Sequence, residues 1–369
     1  MLMIERSFFK KYLLPGFIFQ SIVIGGGYGT GRELVEFFLK FGPLGGIFGM
    51  IISTVIWSTV CSVTFELARL TRSYDYRNFT QQLLGRWWGL YEVCYLIMMV
   101  LTLSVIAAAS GSIVEGNFSI PYYTGVIGIM ICIGLLVFKG TVLIEKVFAI
   151  WSFVLYTVYF VFFTWSLSQF LGENSSLLTM LEIKPGWFLS GVKYAGYNMV
   201  VIPALLFCIR HIQTSKEAVG AGILAGPIGI IPGFFFYVSM VTQYPRILVQ
   251  QVPASYLIEV LGSTSFQLIF QIILLGTLIE SGTGVIHAFN ERVASVFAEK
   301  KKLMPSYLRP LVAIFLLVLA ASVAQFGLMK LIAWGYGSAA WGVLFCYVFP
   351  ALTVGIWKIL MCRKARLGQ

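Results

Sequence analysis

The sequence predicts an all-α integral membrane protein: ten transmembrane helices in a 5+5 inverted repeat, with helices 1 and 6 broken. Three observations carry this expectation. Of 369 residues, 59% are hydrophobic and only 11% charged, against about 25% charged in a soluble domain. Apolar runs of the roughly 20 residues needed to span a bilayer recur along the chain. Two of these runs are interrupted by glycines and polar residues, at corresponding places in the two halves.

In order, the N-terminus MLMIERSFFKKYLLPG is short and basic and leads into a run long enough to span, unlike a cleavable signal peptide. Spans are expected at 13–39, 44–68, 89–114, 121–138, 143–170, 187–209, 218–242, 264–290, 308–326 and 336–360. With the N-terminus inside, twenty of the 26 Lys and Arg residues fall on the cytoplasmic side. That bias predicts a plasma-membrane protein with both termini in the cytoplasm. The polar stretch 171–186, LGENSSLLTMLEIKPG, separates a first five-helix repeat (1–170) from a second (187–369). Because five is odd, the second half starts from the opposite side of the membrane. Residues 245–262 are too polar to span and are expected to form an external re-entrant loop or short surface helices.

The first span holds Gly25, Gly26, Gly27, Gly29 and Gly31, followed at once by Arg32, Glu33 and Glu36. Each glycine costs a helix about 1 kcal/mol relative to alanine, so unwinding is expected here. A packing seam accounts for the glycines, but not for charges at membrane depth, which mark a functional site by default. In the second half, Gly191, Gly196, Asn198 and Pro203 interrupt the sixth span, and paired interruptions of this kind point to a transporter's binding site. The amides of Gly29, Thr30 and Gly31 would then meet an anionic group, with Arg32 as a bidentate clamp. The carbonyls of Ile24 and Gly27 would suit a cation. Glu33 and Glu36 would receive an ammonium group or a proton, or would pair with Arg32. Tyr28, Tyr194, Tyr197, Asn198 and Thr102 complete the expected substrate lining. The seventh span carries Gly220, Gly222, Gly226, Gly229 and Gly233 without charges, which indicates close packing.

A second polar cluster lies in the eighth span, where Thr277, Glu280, Thr283, His287 and Glu291 recur at helical spacing on one face. Glu280 sits near mid-span, and Ser281 and Thr283 offer hydroxyl oxygens of the kind that ligate sodium. Lys146 either snorkels to the surface or acts as a buried ammonium in place of the ion. Glu66 and Glu92 are expected to pair with Arg69 and Arg86. The six cysteines show no CxxC pair and read as free, apolar fillers. One aspartate and two histidines exclude an aspartate dyad and an HExxH zinc site. Despite a net charge of +11, no basic-aromatic nucleic-acid module is present. No acid–base–nucleophile constellation suggests an enzyme, and no cofactor is implied beyond a possible sodium ion.

The stretch GGGYGTGRELVEFFLKFGPLGG (25–46) resembles the GAGFASGQE-type opening of the YkvI-like bacterial membrane proteins, as does ESGTGVIHAFNER (280–292) at the end of the eighth span. Arg32 stands where that pattern more often has glutamine. These proteins look like members of the amino acid–polyamine–organocation superfamily with the LeuT-type fold. The resemblance implies a substrate between the breaks of helices 1 and 6, flanked by helices 3 and 8. It implies a sodium ion near Ile24, Gly27, Ser281 and Thr283, or proton coupling through Glu280, Glu33 or Lys146. The expected function is cation-coupled transport of a small amino-acid-like or amine solute by alternating access. The alternative is a non-transporting ligand sensor, as in the superfamily's spore-germination receptors. The sequence carries no signal for oligomeric state.

Overall fold

The computed structural model describes residues 8–139, 181–299 and 301–367, with scattered positions between 157 and 168. Most of the expected fifth span, and Lys146 with it, lie outside the described residues. Everything regular among the described residues is helical. Five helices are long and apolar enough to cross a membrane, and the shorter apolar helices Tyr122–Phe138 and Leu308–Ala324 add to them.

The first span is broken into α1 (Leu14–Val23), α2 (Gly26–Gly29) and α3 (Arg32–Phe37). Gly31 joins the last two at φ +78°, a left-handed conformation that costs glycine nothing. There follow α4 (Pro43–Thr71), the short α5 (Tyr76–Leu84), α6 (Trp88–Phe118) and α7 (Tyr122–Lys139). Asp75 caps α5 by accepting from the Asn78 amide at 2.9 Å.

In the second half, α8 (Trp187–Asn198) runs directly into a 3-10 stretch, Met199–Ile209, that contains Pro203. The sixth-span interruption is therefore a tightening of the helix, not an unwound gap. Pro203 has no amide proton to give the Val200 carbonyl three residues back, and the Tyr91 hydroxyl donates to that carbonyl instead at 2.6 Å. Next come α9 (Ser215–Val241), α10 (Pro253–Val260), α11 (Thr264–Glu299) and α12 (Leu308–Ala324). The segment 245–262 does not span; it forms a 3-10 turn, Arg246–Val249, and α10. The last helix starts at Leu328, eight residues before the expected 336, and π-turns interrupt it at Leu331–Tyr336, Leu344–Val348 and Ala351–Gly355. Lys330, expected in a connection, is inside this helix.

Polar contacts identify the two ends of the bundle. At one end Lys11 pairs with Glu217 at 2.7 Å, His211 contacts the Lys10 carbonyl at 2.7 Å, and Arg363 reaches Glu66 at 3.1 Å and Ser215 at 2.6 Å. Both ends of the described chain thus meet the starts of α9 and the connection before it. At the far end, the Lys184 amide donates to the Phe41 carbonyl at 2.8 Å, and Tyr244 bridges Glu182 and Lys184 at 2.5 and 2.7 Å.

Between the ends, small residues let backbones approach. Ser58 donates to the Ile223 carbonyl at 2.8 Å and Ser62 to the Val219 carbonyl at 3.1 Å, across an α4–α9 seam in which Gly222 faces Ser62 and Gly226 faces Ser58. Gly191 of α8 lies against the Gly49 backbone of α4, and Ser53 donates to the Gly191 carbonyl at 2.8 Å. Small-residue contacts of this type hold membrane helices together where no hydrophobic driving force exists between them. Gly222→Leu has no room against Ser62 and is expected to cost at least the roughly 1–3 kcal/mol of overpacking. A lowered midpoint of thermal unfolding in detergent would show it. Gly128→Leu, on exposed α7 with open space around it, should leave the midpoint unchanged.

Candidate functional site

The break in the first span begins at Ile24, whose ψ of 70° turns the chain out of α1, and Gly25 is extended at ψ −164°. Among the described residues no hydrogen-bond donor reaches the Ile24 carbonyl oxygen. The Gly27 carbonyl accepts from the Thr30 hydroxyl at 2.8 Å. The amides expected to face an anion are engaged within the segment: Gly29 donates to Gly25 at 2.8 Å, Thr30 to Gly26 at 3.3 Å and Gly31 to Tyr28 at 2.9 Å. In this conformation those amides present no anion cradle. The glycines close the segment on itself.

Arg32 and Glu33 point to different places. The Arg32 guanidinium donates to the carbonyls of Leu248 and Gln250 at 2.8 and 3.0 Å and to Glu36 at 3.1 Å, and is 3% exposed. Glu36 also receives Lys40. Arg32 therefore ties α3 to the 245–250 segment, and the Ala254 amide adds a bond to the Thr30 carbonyl at 3.0 Å. Its ion pair is with Glu36, not Glu33.

Glu33 turns inward, equally buried, and accepts from the Tyr197 hydroxyl of α8 at 2.5 Å. Its carboxyl lies over Gly27, where any Cβ would collide with it. No basic group among the described residues pairs with it. Tyr197 stacks on Tyr336 with ring centroids 4.8 Å apart, and the Tyr336 hydroxyl meets Thr102 of α6. Tyr194 packs edge-on against Tyr197 at 5.5 Å and against Phe38 at 4.6 Å, and its own buried hydroxyl has no hydrogen-bond partner among the described residues. Trp57 donates to the Ala195 carbonyl at 3.2 Å and Tyr91 to the Val200 carbonyl at 2.6 Å. The second meets a carbonyl that Pro203 cannot serve, and the first adds to the bond from the Met199 amide. Asn198 bonds back to the Tyr194 carbonyl at 3.0 Å. Tyr28 packs against Gly233 of α9.

The structure therefore brings Gly27, Glu33, Tyr194, Tyr197 and Thr102 to one buried centre. It directs Arg32 elsewhere. Tyr336 and Trp57, which the sequence reading missed, belong to the same centre. Tyr336 sits in a π-turn, and nothing in its local sequence marks the residue insertion that aims it at Tyr197.

On α11, Leu278 packs against Gly26, and Ser281 and Thr283 follow within about 8 Å of helix rise. Thr283 is buried with a hydroxyl that makes no hydrogen bond among the described residues, while Ser281 and Glu280 are half-buried. Oxygens of this kind, the Ile24 carbonyl and the Thr283 hydroxyl, are chemically able to ligate a hard cation. At the terminal end, Glu66 chelates Arg69 as expected, at 2.8 and 2.9 Å. Glu92 pairs with Arg292, not Arg86; Arg292 lies between the rings of Tyr76 and Tyr95 at 4.4 and 4.8 Å. Arg86 instead covers Trp87 at 5.3 Å.

The chain is 24% identical over 343 residues to the Bacillus subtilis membrane protein YkvI, covering 90% of this chain and 95% of that one. The similarity to that membrane protein runs along nearly the whole of both chains. No protein-family model matches the chain. The inward-facing conformation of Mhp1 superposes with a TM-score of 0.59 at 12% identity, over 90% of this chain and 72% of that one. A manganese transporter of Eremococcus coleocola superposes at 0.56 and 14% identity, over 92% and 77%. The fold is the LeuT type, and the two broken helices that meet at Glu33 and Tyr197 are its first and sixth.

Because Arg32 spends its donors on the 245–250 carbonyls, Arg32→Gln should loosen that segment while leaving the helices intact. Hydrogen exchange of amides 246–260 is expected to quicken by about tenfold, the equivalent of one charge-assisted hydrogen bond, with no change across α9.

Proposed function

We propose that the chain is a secondary active transporter of a small amine-bearing, amino-acid-like solute, coupled to Na+ or H+ and working by alternating access in the plasma membrane. The observation that carries this reading is Glu33: a carboxyl buried between helices 1 and 6, held by one tyrosine hydroxyl and paired with no cation among the described residues. Leaving a charge unpaired at this depth is costly. A proton or the ammonium group of a ligand would remove that cost, and either event would change the interaction between helices 1 and 6. Binding would thus be linked to the movement of the two halves.

With Arg32 engaged at the far end, the centre is a site for a positively charged group more than for an anion. Tyr194, Tyr197 and Tyr336 add aromatic faces that favour a cation. Sodium would be served by Ile24 and Gly27 on one side and Ser281 and Thr283 on the other. A proton would be served by Glu33, with Glu280 and Lys146 as the other candidate carriers. The distribution of basic residues supports cytoplasmic termini. The fold shared with Mhp1 and a manganese transporter supports transport over catalysis.

The test is uptake of labelled amino acids and amines into proteoliposomes under imposed sodium or proton gradients. Wild-type protein should accumulate at least one amine-bearing solute. Glu33→Gln should weaken its apparent affinity by roughly tenfold to a hundredfold, the value of a lost charge-assisted bond. Undiminished uptake by Glu33→Gln would overturn the assignment of the site. Saturable binding without flux in the wild type would identify a sensor on the same scaffold.

A further inference from the structure

On the outer surface of the bundle, at the far end, a groove of about 610 Å3 opens between α6, α12 and the last helix. Leu101, Val323, Phe326 and Trp334 line it, and Gly335 contributes no side chain of its own. Leu101 lies about midway along the 31-residue α6, so the groove reaches from the end of the bundle toward the middle of the membrane. Phe326 and Trp334 are 60% and 77% exposed, an arrangement that water would penalise and a bilayer would not. At the mouth stands Lys330, exposed and without an ion pair among the described residues.

A slot with apolar walls and one unpaired ammonium at its outer rim matches a single chemistry. We propose that this groove binds an anionic glycerophospholipid, its phosphate on Lys330 and an acyl chain along Leu101 and Trp334. A lysine at the interface keeps its charge in the headgroup layer while its stem lies on apolar surface, and a tryptophan one turn deeper sits at the depth where indoles anchor. An acyl chain supplies the dispersion contacts that an empty slot forfeits. The groove wall is the π-turn Leu331–Tyr336, whose last residue stacks on Tyr197. The lipid therefore lies against the outer side of the turn that lines the central site. This inference stands independently of what is transported.

Full-length protein in phosphatidylcholine nanodiscs, doped with dibrominated phosphatidylglycerol or dibrominated phosphatidylcholine, gives the test. Quenching at Trp334 is read as the difference between wild type and Trp334→Phe. Phosphatidylglycerol should half-quench at about fivefold lower mole fraction than phosphatidylcholine, the preference expected of one interfacial lysine. Lys330→Gln should abolish the preference and Lys330→Arg should keep it. Equal quenching by both lipids, a preference that survives Lys330→Gln, or a Trp334 that neither lipid reaches because a second copy covers it would each overturn the proposal.

Discussion

A helix can be broken inside a bilayer only where protein supplies the hydrogen bonds that the helix gave up. That constraint organises the structure around residues 24–31. Thr30 returns its hydroxyl to the Gly27 carbonyl, Ala254 sends its amide to the Thr30 carbonyl, and three glycine-segment amides bond within four residues. The segment 245–260 is accordingly more than a connection. It carries the partners that a severed first helix needs, and Arg32 fastens it through two of its carbonyls. The same requirement is met differently in the sixth helix. There the backbone tightens to 3-10, and Tyr91 reaches in from α6 to take the Val200 carbonyl, while Trp57 of α4 adds a second donor to the Ala195 carbonyl that the Met199 amide already meets.

Satisfying the backbone so thoroughly isolates what is left over. The Ile24 carbonyl, the Thr283 hydroxyl and the Tyr194 hydroxyl make no hydrogen bond among the described residues, and Glu33 has one neutral partner. In a protein interior, buried polar groups are as a rule hydrogen-bonded, so exceptions demand an account. Here they fall on the two broken helices and the one that packs against Gly26. On the proposed transport reading, a ligand and a coupling ion passing through the centre would complete these groups transiently.

Much of this was legible in the sequence because bilayers impose long, uniform apolar runs and glycines mark where such runs fail. Gly25 to Gly31 located the first break, and the glycines of the seventh span announced the seam against Ser58 and Ser62. The partners of the charges were not legible. Arg32 and Glu33 are adjacent in sequence, yet Gly31 starts a new helical turn that sends one outward to Leu248 and the other inward to Tyr197. Glu92 meets Arg292 across 200 positions, a distance over which local spacing carries no information. The sixth-span break was placed correctly, but its form was not, because Pro203 can be accommodated by a tighter helix as well as by none. Tyr336 escaped notice for a related reason: α-helical periodicity assigns faces wrongly once a π-turn intervenes.

The last helix has a consequence for how its sequence can change. A π-turn amounts to one residue inserted into an α-helix, and an inserted residue rotates everything beyond it by about 100°. Tyr336, stacked on Tyr197, closes the π-turn at Leu331–Tyr336, and Tyr347, bonded to Thr64 at 2.7 Å, lies within the one at Leu344–Val348. Their mutual orientation is thus encoded as chain length, not as residue identity. Single-residue deletions in this helix would preserve its hydropathy and its helicity and still misalign it. Across related chains, this stretch should tolerate substitution far more readily than any change in the number of its residues.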